Sequence, residues 1–169
     1  MKELIQKTRE YLDYVERHYN NVQKAWQELN DKCKNNGFNW LYDDVIWHAI
    51  NDNIKRHDMS KLGVNEFVQY RQYFYPTSSE VKDKELMNQA WNHRLGNNPH
   101  HWQNWTERDY YYPNQSLIYF IENICDWMAM GYEFGDTAKE YYESNKDKID
   151  LPEWAIKEMY LIFDIIYKD

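Results

Sequence analysis

The run His57-Asp58-Met59-Ser60-Lys61 sets an imidazole and a carboxylate on consecutive residues and adds an ammonium three positions after the carboxylate. Further candidate metal ligands are His18 upstream, His93 and the pair His100-His101 downstream, and Asp126 within an apolar stretch. Imidazole and carboxylate together suit divalent ions such as Mn, Fe, Co, Ni, Zn or Mg, whereas structural zinc usually draws on thiolates. A mixed His/Asp set of this kind points to a catalytic centre holding one or two divalent ions. Asp126 strengthens the inference, because an uncompensated carboxylate among apolar neighbours is costly and a metal is a simple counter-charge. Glu122 stands four residues before Asp126, on nearly the same helical face. There it can orient a metal-bound water, accept its proton, or support a ligand.

The positions of these residues follow from helical periodicity. Tyr11, Val15, His18, Val22, Trp26 and Leu29 recur at steps of three or four, which predicts an amphipathic helix from Leu4 to Leu29 with His18 on its apolar stripe. A second helix is expected to start at Asp43 or Asp44 as cap. It carries two rows of residues four apart, Val45-Ala49-Asn53-His57 and Ile46-Ile50-Ile54-Asp58, which bring both candidate ligands toward the core at its end. Gly63 breaks the chain before a short helix with Phe67, Tyr70 and Phe74. A fourth helix has Leu86, Ala90 and His93 on one face and is expected to stop at Gly96. The stretch from Gly96 to Pro113 reads as a long ordered loop able to act as a lid. Ser116 is the expected cap of a helix running to about Phe134 with Asp126 in its middle. Asp136 is the expected cap of a short helix, and Pro152 opens a last one bearing Ile156, Met159, Phe163 and Ile166. No β-alternation competes with this all-α reading.

With this order of residues, H…HD…H…HH…D, the chain resembles the HD-domain superfamily, mostly metal-dependent phosphohydrolases with a helical fold. HDMSK resembles its HD-x-G-K variant, with Ser60 in the glycine's place and Lys61 kept. Together with Asn97-Asn98-Pro99-His100-His101-Trp102 and Cys125-Asp126-Trp127, the pattern is also similar to a small uncharacterised family of bacterial and phage-encoded proteins with HDxSK and NxxHH motifs. The resemblance runs roughly from His18 to Asp126 and implies a single-domain, HD-like helical bundle over residues 1–169. It implies a first ion on His18, His57, Asp58 and Asp126, with Asp58 bridging to a second ion held by His93 and one of His100 or His101. Two such ions clamp a phosphoryl group and stabilise the attacking and leaving oxygens of an in-line displacement. Asp58, Lys61 and Glu122 are then the catalytic residues, Lys61 as an ammonium placed on a phosphate oxygen.

Composition narrows the partners. A chain of 169 residues, 43% hydrophobic, can bury one substantial core, so one domain is expected. A net charge of −8 argues against an extended nucleic-acid surface, which needs Lys and Arg to displace counterions. A small phosphorylated molecule such as a nucleotide stays compatible, since a few cations in a cleft suffice. Cys33 and Cys125 read as reduced thiols, and no apolar run resembles a secretory signal or a membrane span, so a cytoplasmic protein without a membrane partner is expected. Trp91, Trp102, Trp105, Tyr110, Tyr111 and Tyr112 offer faces for a base to stack on, although eight Trp and sixteen Tyr are also core material. Arg71 and Arg94 are further candidates for phosphate contact, although arginine beside an apolar helix face is usually solvated or salt-bridged, and His48 reads as a surface or packing histidine. Two alternatives to the phosphohydrolase follow from the same pattern. One is a di-iron oxygenase on the HD fold; the other is a noncatalytic accessory protein, phage or bacterial, that binds metal or a nucleotide without turnover.

Overall fold

The computed structural model describes residues 1–34, 36–106 and 114–168, and every regular element among them is helical. The elements are α1 (Lys2–Cys33), α2 (Asp44–Lys55), α3 (Phe67–Phe74), α4 (Lys84–Asn97), α5 (Trp102–Trp105), α6 (Gln115–Phe134), α7 (Ala138–Asn145) and α8 (Glu153–Ile166), with 3-10 turns at Asn39–Leu41, Met59–Leu62 and Lys146–Lys148. The all-α class read from periodicity is therefore the observed one. No helix among the described residues is long and apolar enough to cross a membrane. The chain forms two compact units, Met1–Tyr19 with Asp58–Asn98, and Asn20–His57 with Pro99–Asp169.

The first unit joins the N-terminal part of α1 to the turn Met59–Leu62, α3 and α4. Its apolar centre is small and aromatic: Tyr11, Tyr70 and Ala90 are buried, and Phe67 meets Tyr11 edge-on with ring centroids 5.3 Å apart. Polar ties supplement that centre. Arg71 makes a two-pronged pair with Glu80 at 2.5 and 2.6 Å, and Glu3 accepts from both the amide and the hydroxyl of Ser78. α4 starts at a side-chain cap, Asp83, and runs on through Gly96, so the expected stop at that glycine is corrected. Gly96 is exposed, and a helix tolerates one glycine there at modest cost. Termination falls to Asn98, whose amide and side-chain Nδ2 both donate to the Arg94 carbonyl.

The second unit holds the larger core, formed by the rest of α1 with α2, α5, α6, α7 and α8 and including Leu29, Ile50, Ile54, Ile121, Ile124 and Phe163. α2 begins where Asp43 accepts from the amides of Val45 and Ile46, and it packs on α6. Of its two expected rows, Ile46, Ile50 and Ile54 are buried, whereas in the other Val45 is 79% exposed and only His57, past the helix end, is buried, because one stripe of a short helix suffices to cover α6. α6 is central, with every residue from Phe120 to Ala129 buried. Its start is corrected from a Ser116 cap to Asn114, which takes the left-handed conformation that Asn tolerates. The cap of α7 is likewise Thr137, not Asp136, in a reciprocal box with Glu140.

The end of α6 allows a sharp test. A Cβ built on Gly131 lies 2.5 Å from the Asp136 carbonyl oxygen, a backbone atom that cannot step aside, whereas one built on Gly96 meets nothing within 4 Å. Gly131→Ala is expected to destabilise by about 1–3 kcal/mol through overpacking. Gly96→Ala is expected to stabilise by roughly 0.4–1 kcal/mol through a less mobile unfolded chain. Urea denaturation of both variants checks the pair, and a neutral Gly131→Ala would contradict the close approach.

Candidate metal centre

In the second unit four expected residues converge with Glu122. His57 follows the last turn of α2, its amide donating to the Ile54 carbonyl at 3.2 Å. His100 and His101 immediately precede α5, and the indole of Trp105 donates to the His100 carbonyl at 3.1 Å. Trp105 is itself locked in the core, edge-on to Phe120 with centroids 5.8 Å apart. Asp126 and Glu122 lie one turn apart on the buried middle of α6. His57, His100, His101, Glu122 and Asp126 are all buried.

The hydrogen bonds fix how the rings face. Glu122 Oε1 lies 2.9 Å from His57 Nδ1 and 3.1 Å from His100 Nδ1. Burial works to raise the Glu122 carboxyl, but the imidazoles of His100 and His57 outweigh it and hold the group down at about 2. An ionised carboxylate only accepts, so both Nδ1 atoms donate to it, and in a neutral imidazole Nε2 is then the atom with the lone pair. His57 Nε2 stands 3.7 Å from Asp126 Oδ1, and His100 Nε2 stands 3.7 Å from Asp126 Oδ2.

These separations exceed a hydrogen bond of about 2.7–3.2 Å. They are slightly longer than the roughly 3.4 Å between tetrahedral ligands that share one ion at about 2.1 Å, close enough for an ion to draw them together. One ligand atom each from His100, His101 and Asp126 also lies within 4.8 Å of the others. The donors are imidazole nitrogen and carboxylate oxygen, so the set fits a borderline ion such as zinc, cobalt, iron, nickel or manganese better than magnesium. Cys125 adds no thiolate: burial, with the charges of Glu122 and Asp126, pushes its thiol far up and keeps it neutral.

The low Glu122 value has a pH consequence. As pH falls, the unfolded chain takes up this proton near the ordinary 4.5, whereas the folded chain resists it until about 2. The stabilisation is therefore complete above the ordinary value and is lost as pH falls through this window. Glu122→Gln is expected to flatten the acid limb of the stability profile between about pH 4.5 and 2. Urea midpoints recorded across that range for both proteins check it.

The first unit carries a different cluster. Asp58 sits at φ 57° and opens the turn Met59–Leu62, its carbonyl accepting from the Lys61 amide at 2.9 Å. Its Oδ2 receives Lys61 Nζ at 2.9 Å, His18 Nε2 at 3.3 Å and the Arg94 guanidinium. All four residues are buried. Beside them Glu66, fully buried, accepts from Ser60 Oγ at 3.0 Å and pairs with His93 Nδ1 at 2.7 Å. Asn98 donates to Ser60 Oγ at 2.7 Å, which gives the serine in the glycine's place a structural task linking the HDxSK and NxxHH segments.

A family model described as a family of unknown function, DUF5662, matches residues 7–161. The chain belongs to this family. No curated protein and no solved structure matches it. The match to DUF5662 spans every residue of the two clusters, from His18 to Asp126.

Within this DUF5662 member the expected site residues thus fall into two sets. The second unit assembles His57, His100, His101, Glu122 and Asp126; the first assembles His18, Asp58 and Lys61 with Arg94. His93 stands with neither. Its side chain is 34% exposed, its Nδ1 is on Glu66 and its Nε2 accepts from Asn65 at 3.0 Å, so its expected inward position is corrected. The reason is phase: α4 buries Ala90 and Arg94, a step of four, instead of Ala90 and His93. Arg94 was read as solvated or salt-bridged, and it forms a buried pair with Asp58. Lys61 is buried on that same carboxylate. The lid reading is corrected for its described part, because Trp105 pins the stretch after His100 to the core. Tyr110, Tyr111 and Tyr112 lie outside the described residues. His48 is exposed, as expected.

Proposed function

We propose that the protein is a metal-dependent phosphohydrolase acting on a nucleotide or another small phosphoester, with one divalent ion held in its second unit. The observation that carries the metal is the pair of 3.7 Å approaches from His57 Nε2 and His100 Nε2 to the two oxygens of Asp126. The reaction class rests on the resemblance of HDMSK to HD-x-G-K enzymes and on the spacing H…HD…H…HH…D. When bound, an ion there supplies Lewis acidity toward a phosphoryl oxygen and lowers the pKa of a water. His57, His100 and Asp126 hold it, and His101 lies within reach as a further ligand. In the first unit Lys61 and Arg94 are buried cations with Asp58 as their counter-charge.

The test is turnover of a panel of nucleoside mono-, di- and triphosphates and simple phosphomonoesters. It is run with purified protein, with chelator-treated protein, and with treated protein resupplied with manganese, zinc or cobalt. Phosphate release that disappears on chelation and returns with an ion is expected. A metal-loaded protein that releases no phosphate from any member contradicts the reaction. Oxygen consumption by an iron-loaded protein would move the assignment to oxidative chemistry.

A further inference from the structure

We propose that Glu122 is a positioning residue that fixes the ring orientation and tautomer of both His57 and His100. The inference rests on the metal reading above for its purpose, but its geometry stands apart from it. One oxygen, Oε1, faces the Nδ1 atoms of two different imidazoles at 2.9 and 3.1 Å. The two rings reach it from opposite parts of the second unit's sequence, one from the end of α2 and the other from the segment before α5. Their centroids are 4.4 Å apart and their planes 35° apart, so they are splayed around that one oxygen.

Three consequences follow. In the neutral rings both hydrogens sit on Nδ1, which leaves both Nε2 lone pairs for a ligand facing Asp126. Each ring is held at two ends, by a backbone link and by the carboxylate, so a metal would meet ligands already oriented; such support is typically worth ~10–100-fold in affinity. Oε1, by serving two N–H donors, couples the orientation of one ring to that of the other. A buried carboxylate that merely filled a core gap would need only one partner and would not select the tautomer of two.

The experiment joins a spectroscopic and a binding readout. Nitrogen-15 spectra of the histidine side chains are recorded on chelator-treated wild-type protein, with His57→Gln and His100→Gln variants assigning the signals. Cobalt or zinc affinity is then measured for wild type and Glu122→Gln, with circular dichroism confirming that the variant is helical. The expected result is a hydrogen on Nδ1 of both His57 and His100 in the wild type. In Glu122→Gln a mixture of tautomers is expected, with metal affinity about 10–100-fold lower at unchanged stoichiometry. A wild type with Nε2–H on either ring overturns the proposal, as does a Glu122→Gln protein that keeps both tautomers and full affinity. A wild type that binds no ion yet shows both Nδ1–H rings overturns the metal reading alone and upholds Glu122 as the residue that orients them.

Discussion

The Asp126→Asn protein is expected to bind zinc or cobalt with an affinity reduced by more than the ~10–100-fold that losing a supporting hydrogen bond costs, while its metal-free fold survives. Asparagine has the same shape but no charge, and Asp126 is the carboxylate toward which both Nε2 atoms turn. Two carboxylates one turn apart on buried α6 also repel each other, so removing one charge relieves the metal-free protein. Binding and stability should therefore respond separately, the first falling steeply and the second by about 1 kcal/mol, the usual scale of a single substitution. Calorimetric titration with the ion, paired with urea denaturation of the metal-free protein, measures both. Unchanged affinity would remove Asp126 from the centre.

Asp58→Asn is expected to give the opposite signature, a loss of about 3–5 kcal/mol in stability, the usual cost of leaving a buried charge without its partner. Lys61 and Arg94 both direct their cations at this carboxylate, and both are buried. Asparagine tolerates the left-handed backbone at this position, so the charge is what changes. A domain typically has only about 5–15 kcal/mol in all, so the effect should be plain in a denaturation curve. A shift under about 1 kcal/mol would mean that the pairs contribute no more than exposed ones.

Local signals carried most of what the sequence disclosed. The period of three and four located α1, α2, α6 and α8, and the adjacency of Glu122 and Asp126 on one face was legible because both sit on the same helix. His57 and His100 reached the same carboxylate through tertiary packing, so their partnership had no local trace. Arg94 shows the limit most clearly. Its burial depends on Asp58, thirty-six positions away in the sequence, and a shift of one residue in the phase of α4 exchanges it with His93. Caps failed where an alternative existed nearby: Thr137 displaced Asp136 because only Thr137 has a glutamate three residues on to close the box. Trp105 could be read as a stacking face or as core material, and the core that absorbs it is built from helices distant in sequence.

The central claim is that the second unit binds a divalent ion through His57, His100 and Asp126. Its most direct test is titration of chelator-treated wild-type protein with cobalt(II), followed by the visible absorption of the bound ion, beside the same titration of His57→Ala. One ion per chain in the wild type, displaced by zinc and absent from His57→Ala, is the expected result. A wild type that takes up no cobalt, or a His57→Ala protein that binds it as the wild type does, would contradict the claim.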